Sequence, residues 1–280
     1  MARPTQEERL QIAAEMITNA TGLLFTAGAG MGVDSGLPDF RGQKGFWKAY
    51  PSLARRRVSF KSVARAYTFK DHPRLAWGFY GHRLNLYRSV TPHSGFGILK
   101  RWGDAMADGY GVFTSNVDGH FQRAGLVNGP VCEQHGSIHY LQCSERCADY
   151  LWSADDFSPQ VDEETCLLVN DLPHCPQCGA VARPNIMMFD DFHVLPTRQE
   201  RQALELKRFL DQCQRLVVIE IGAGKTIATV RRFGEKVARQ HQGRLIRINP
   251  VDFEAPPRAI GLETSARSGL EAIDRLIGAS

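Results

Sequence analysis

No stretch of this chain approaches the roughly 18 consecutive apolar residues that a membrane-spanning helix requires. Met1 to Leu10 is charged and has no apolar core of the kind that marks a secretory signal, so a soluble, cytoplasmic protein with no membrane partner is expected. Internal repeats and low-complexity tracts are missing too, which argues against a fibrous or disordered chain. Nor is there a long block of like charge. The 34 basic residues face 30 acidic ones for a formal charge of +4, and the densest basic run is only Arg55-Arg56-Arg57. A run of that size reads as a solvated face, and no direct nucleic-acid partner is expected.

What is present suits an α/β enzyme. The 280 residues, 43% of them apolar, can bury one full core with room for an inserted lobe. Seven cysteines is an odd number, and four fall in two close pairs, Cys143/Cys147 and Cys175/Cys178. In a reducing compartment that pattern points to metal rather than disulfides. Cys132, Cys166 and Cys213 stand beside apolar residues and read as buried hydrophobes.

Residues 6–20 carry an apolar stripe at helical spacing, and Leu23-Leu24-Phe25 then runs into Thr26-Ala27-Gly28-Ala29-Gly30. This is the pattern of helix, buried strand and glycine turn. The runs beginning at Gly111, Leu216 and Arg244 repeat the sequence of apolar strand, turn and helical pattern, so a doubly wound parallel (Rossmann-like) sheet is expected. The aromatic-rich helical stretch 46–89 and the cysteine-bearing stretch 136–182 read as excursions forming a smaller helical and zinc-binding lobe. That leaves 1–45, 90–135 and 183–280 for the larger domain.

Gly28-Ala29-Gly30 follows its apolar run where an α/β nucleotide fold lets backbone approach a pyrophosphate with no Cβ in the way. The stretch from Gly28 to Arg41, GAGMGVDSGLPDFR, resembles the sirtuin signature GAGxSxxSGIPDFR, with Gly32 in place of the first serine. The resemblance implies NAD contact by Gly28, Ala29, Gly30, Asp39, Phe40 and Arg41. Those residue types suit such contact, since Arg41 can offset phosphate charge, Phe40 can shield a ribose carbon from water, and Asp39 can accept from the nicotinamide amide.

Five further segments resemble the same family in the same order. Thr114-Ser115-Asn116-Val117-Asp118 resembles TQNxD, which implies cofactor roles for Ser115, Asn116 and Asp118, with Asn116 also serving catalysis. Gln134-His135-Gly136 matches the HG element, and His135 is the expected acid–base residue because an imidazole titrates near neutrality. His139 lacks the following glycine and reads as structural. Arg183 to Asp191 resembles RPxVVWFGE, the strand that pairs with peptide substrate, so Ile186, Met187 and Phe189 are expected substrate contacts; Asp190 stands where the family has glycine. Gly222-Ala223-Gly224 resembles the GTS loop, and Asn249 the asparagine that holds the adenosine ribose.

The four paired cysteines, Cys143, Cys147, Cys175 and Cys178, occupy the place of the sirtuin zinc module. Four thiolates leave no open position for water, so the expected Zn2+ is structural, with a redox pair as the alternative. Tyr80 and Arg83, three apart on a helical pattern, resemble the Tyr-x-x-Arg pair of sirtuins that remove malonyl, succinyl and glutaryl groups. Together these resemblances imply an NAD-dependent protein lysine deacylase acting on acyl-lysine protein or peptide and yielding nicotinamide and O-acyl-ADP-ribose. Gly32, Ser115 and Gly224 keep a sirtuin-fold ADP-ribosyltransferase as the alternative, and a non-catalytic NAD-sensing or partner-binding module is the second.

Overall fold

The computed structural model describes residues 4–38 and 42–278. Its principal helices are α1 (Gln6–Thr18), α2 (Pro73–Ser89), α3 (Ser94–Ala105), α4 (Thr197–Gln212), α5 (Thr229–Gln240) and α6 (Ala266–Gly278). The strands that matter for the site are β1 (Gly22–Ala27), β2 (Gly109–Thr114), β3 (Val131–Glu133), β4 (Gly136–Cys143), β5 (Leu151–Ser153), β6 (Ala182–Ile186), β7 (Leu216–Ile221), β8 (Arg244–Ile248) and β9 (Ile260–Leu262). Among the described residues no helix is long and apolar enough to cross a membrane.

Six strands form one parallel sheet in the order β9-β8-β7-β1-β2-β3. The four strands read from the sequence are all in it, and β1 lies at the centre with every residue buried. A parallel strand covered on both faces must be apolar on both, which is why these segments run continuously apolar instead of alternating. Successive residues feed opposite cores. Leu23 and Phe25 pack with Ile17, Leu99 and Leu270, whereas Leu24 packs with Leu206, Val218 and Val237. Helices α1, α3 and α6 therefore cover one face, and α4 and α5 the other. The order reverses at β1, and the loops after β1, β2 and β7 meet at the carboxyl edge, where open α/β sheets bind ligands.

The smaller lobe has its own core, in which Phe46, Leu53, Phe69, Trp77, Phe79 and Leu84 of the helical part pack with Ile138, Leu141 and Ile186. Its antiparallel sheet has the order β5-β4-β6. Residue 183, the expected point of return to the larger domain, thus lies inside β6, whose strand partner is β4. The helical and cysteine-bearing parts are stapled by side chains that donate to backbone carbonyls. Arg74 reaches Leu168 at 2.9 Å, Asn85 reaches Pro159 at 2.8 Å, and Arg88 reaches both Ala154 and Phe157 at 2.7 Å. Gly78 of α2 lets this loop come close, since a Cβ there would stand 2.0 Å from the Cys166 carbonyl oxygen. Cys132 and Cys166 are buried among apolar side chains, and Cys213 is half-buried against the same core as Leu210.

Candidate active site

The expected cofactor loops touch one another. Gly30 N donates to the Gly222 carbonyl at 3.0 Å, and a Cβ on Gly30 would stand 2.6 Å from the Gly222 Cα. Gly222 has φ +60°, where side chains are disfavoured. Both glycines are thus demanded by backbone contact, and the turns after β1 and β7 form one continuous rim. Asn249, just beyond β8, extends it: Nδ2 donates to the Ala223 carbonyl at 3.0 Å, and Oδ1 accepts from the backbone of Val251 and Asp252 at 3.0 and 2.8 Å. Its side chain shapes the loop that would face an adenosine. Asp39, Phe40 and Arg41 lie outside the described residues.

The segment after β2 joins the same rim. Ser115 N donates to the Ala27 carbonyl at 3.2 Å, and Asn116 Nδ2 donates to the Gly28 carbonyl at 3.0 Å. Asp118 is buried and accepts from His120 N at 2.9 Å, which closes an Asx turn after the strand. His139 Nε2 is spent on the Asp118 carbonyl at 2.9 Å, an arrangement suited to holding a loop rather than moving a proton.

His135 sits in the link between β3 and β4. Burial holds the imidazole below its usual pKa of 6.5, a fall that the nearby Ser115 carbonyl partly offsets. A ring kept neutral carries one unprotonated nitrogen, the form a general base needs. Gly136 follows at φ +81°, and a Cβ there would lie 2.0 Å from the Asn185 carbonyl oxygen. Glycine at 136 is therefore a backbone requirement, because β6 crosses directly over the turn. Met187 N closes the crossing by donating to the His135 carbonyl at 2.9 Å.

Beyond β6 the chain alternates. Ile186 and Met188 are buried, Met187 is half exposed, and Phe189 is half-buried with its N–H on the Ala64 carbonyl at 3.0 Å. Asp190 holds φ +54°, the backbone a glycine would take freely, and its carboxylate lies 3.2 Å from Arg65 Nε. Asp191 is enclosed and joins Arg183 at 2.5 Å.

On α2, Tyr80 is buried and Arg83 half-buried, and they share a face: the Arg83 guanidinium lies 5.8 Å from the Tyr80 ring and 5.4 Å from that of Phe79. Burial raises the Tyr80 phenol to about 12, so it stays protonated. Tyr87, one turn on, accepts from Arg83 Nε at 3.0 Å and Nη2 at 2.5 Å. The Asp118 charge adds to the rise in the Tyr87 phenol that burial begins, which relates this cluster to the segment after β2.

All four paired cysteines converge, with their sulfurs within 4.8 Å of one another. Cys143 and Cys178 are 3.6 Å apart, as are Cys147 and Cys175. A zinc ion with four thiolates at about 2.3 Å requires sulfur separations of about 3.8 Å, so the cluster fits Zn2+. The longer first spacing, Cys143-x3-Cys147, is absorbed by Arg146 at φ +50°.

The profile of the Sir2 family matches residues 28–227, from the glycine loop to just past the β7 turn. The chain belongs to the Sir2 family. An NAD-dependent protein deacetylase of Caldivirga maquilingensis is 28% identical over 267 residues, covering 93% of this chain and 91% of its own length. An NAD-dependent protein deacylase of Pyrococcus furiosus is 29% identical over 220 residues, covering 78% and 77%. Among solved structures, a Sir2 homologue–NAD complex superposes with a TM-score of 0.71 at 22% identity, over 96% of this chain and 94% of that one.

Within this Sir2 fold, a buried ionic group that the sequence motifs do not announce lies behind the cofactor rim. Arg247 of β8 is bound by Glu220 of β7 at 2.6 and 2.9 Å and by Glu235 at 2.7 Å. Arg231 donates to the Asp252 and Glu254 carbonyls at 3.0 and 3.2 Å and, more weakly, to that of Ala223 at 3.4 Å. These side chains tie the β7 and β8 loops together. A signal was there to find: Glu220 and Arg247 interrupt otherwise apolar strands, and they stand opposite one another in register.

Proposed function

We propose that this Sir2 protein is an NAD-dependent lysine deacylase that acts on acyl-lysine side chains of proteins or peptides. The observation that carries the reading is the convergence of two groups on one rim. Asn116 reaches the Gly28 carbonyl, and the buried His135 lies beside Ser115 of the same segment, next to the abutting Gly30 and Gly222. When bound there, NAD would supply an electrophilic ribose carbon from which nicotinamide leaves and a ribose hydroxyl that accepts the acyl group; with one water consumed, the products are free lysine, nicotinamide and O-acyl-ADP-ribose. The glycine rim admits the phosphates to backbone N–H groups. Asn116 fixes the loop that faces the nicotinamide ribose, and His135 takes the hydroxyl proton on its free nitrogen. Ile186, Met187 and Phe189 offer the edge along which an extended peptide lies. The four cysteines would hold Zn2+, and four thiolate ligands would leave it a structural role.

The acyl preference in this reading is acidic. Arg83, packed over Phe79 and Tyr80 and bonded to the Tyr87 hydroxyl, has a planar fork suited to a distal carboxylate. Nicotinamide release measured across acetyl-, fatty-acyl- and succinyl-lysine peptides tests both levels. Higher kcat/KM on succinyl- than acetyl-lysine is expected, with Arg83→Met reversing the order; a charge-assisted hydrogen bond of about 1.5–3 kcal/mol shifts the ratio ten-fold or more. Equal losses on both substrates would make Arg83 structural. Label from NAD retained on a protein, without acyl-dependent nicotinamide release, would favour ADP-ribosyl transfer instead.

A further inference from the structure

We infer that Arg198, at the start of α4, is a positioning residue for His135. It rests on the deacylase reading for its meaning in catalysis, and on geometry alone for its structural half. His135 lies in a two-residue link, and the strand before it, β3, is a three-residue edge strand bonded to the sheet only through β2. On the β4 side Met187 N holds the His135 carbonyl, but on the β3 side so short a ladder leaves the link dependent on a second hold. The first turns of α4 supply it. Arg198 Nη2 meets Glu133 Oε2 at 2.5 Å, with both side chains largely withdrawn from solvent, and its guanidinium lies 4.3 Å from the Tyr140 ring centroid. Glu133 is two residues before His135 and Tyr140 is five after it, on β4. One side chain thereby pins both strands that flank the base.

Two neighbours on α4 reinforce the grip. Gln202 accepts from Glu133 N at 3.2 Å and donates to the Glu133 carboxylate at 3.3 Å, while Gln199 reaches the Gln134 side chain at 3.3 Å. Gln134 N in turn donates to the Thr114 carbonyl at 2.8 Å, which sets the link against the residue preceding Ser115. Ser115 is the backbone neighbour of the buried imidazole. Loss of the pin displaces both strands relative to that neighbour, and a displacement of about 1 Å at a reacting group costs on the order of 100-fold in rate.

The test compares Arg198→Met and Arg198→Lys with the wild type, with kcat expressed per ADP-ribose-binding site counted by calorimetry so that misfolded protein drops out. Arg198→Met is expected to lower kcat by about 10- to 100-fold while KM for NAD and peptide stays within about three-fold. Arg198→Lys, which keeps the charge on Glu133, is expected to recover much of the loss. Unchanged kcat per site in Arg198→Met would overturn the inference, as would a loss that Arg198→Lys fails to relieve. The second arm needs no turnover: in ring 1H–13C spectra of the nine histidines, the His135 signal, assigned with His135→Ala, is expected to move in Arg198→Met while those of His72, His174 and His241 stay. A stationary His135 signal would refute positioning, whereas a moved signal in a wild type that releases no nicotinamide would refute only the deacylase reading.

Discussion

Replacing Gly30 by alanine adds one carbon at the tightest point of the cofactor rim. That carbon would stand 2.6 Å from the Gly222 Cα and 2.9 Å from its carbonyl oxygen, about 0.8 Å inside the 3.4 Å at which ordinary contact begins. Neither atom can yield cheaply: Gly222 donates to the Ile248 carbonyl at 3.0 Å and accepts from Gly30 itself, so moving it breaks the seam between the β1 and β7 loops. Overpacking of this kind costs about 1–3 kcal/mol. At 1.4 kcal/mol per factor of ten, the same energy expressed at the rim weakens NAD by roughly 5- to 150-fold. Calorimetric titration with NAD, alongside the thermal midpoint, measures both destinations of the strain. Gly32→Ser is the matched control, because its Cβ would meet only the flexible Leu37 Cδ1 at 2.9 Å, and it returns the hydroxyl of the Sir2 signature. Its NAD affinity is expected to stay within three-fold or to improve. A Gly30→Ala protein that binds NAD and melts like the wild type would refute the reasoning, and so would a Gly32→Ser protein as impaired as Gly30→Ala.

His135→Ala is expected to keep the fold and NAD binding while turnover falls by about 10²–10⁴-fold, and retention of more than a third of wild-type activity would sink the assignment. Metal analysis should find about one zinc per chain, with Cys175→Ser or Cys178→Ser misfolding instead of merely slowing; a metal-free, fully active preparation would count against the site. Burial lowers His82, His93, His120 and His135 below the usual 6.5, so under that pH the unfolded chain takes up protons that the folded chain refuses. Stability should therefore fall as pH drops from 7.5 to 5.5, read as a declining thermal midpoint, whereas the acid limb of kcat/KM set by His135 should lie below 6.5.

The parallel sheet was legible because its strands are apolar without alternation and run into turns of glycine or Asx residues, as at Gly222 with its positive φ and at Asp118 with its Asx turn. The cysteine cluster was legible from spacing, even though the first pair needed a left-handed Arg146 to close. Three kinds of feature escaped. The strand pairing of β6 with β4 depends on a contact between segments some forty residues apart, which no local period encodes. Tyr87 was hidden behind the Tyr80–Arg83 spacing, although it is the phenol that Arg83 bonds and it lies four residues on, on the same helical face. Arg198 and Arg231 act through carbonyls, carboxylates and rings supplied by distant segments, and a lone arginine in a sequence carries no mark of which partners the fold will bring to it; Arg247 differs only in that its charge, like that of Glu220, stands out in an apolar strand.

Strand β4 has a base at one end and a metal site at the other. It begins immediately after His135, at Gly136, and ends at Cys143, and β6 runs back alongside it from Ala182 beside Cys143 to Ile186 beside Gly136, a span of roughly 13 Å. The two strands behave as a tie rod between distant fittings. Whatever loosens the thiolates removes the anchorage of both strands at one end, and at the other they carry the turn bearing the imidazole and the peptide edge at Met187. Partial metal depletion should then register first as altered peptide affinity and slower turnover in molecules that are still folded, with unfolding following only at deeper depletion. An ion that takes no part in the chemistry would in this way set the register of the groups that do.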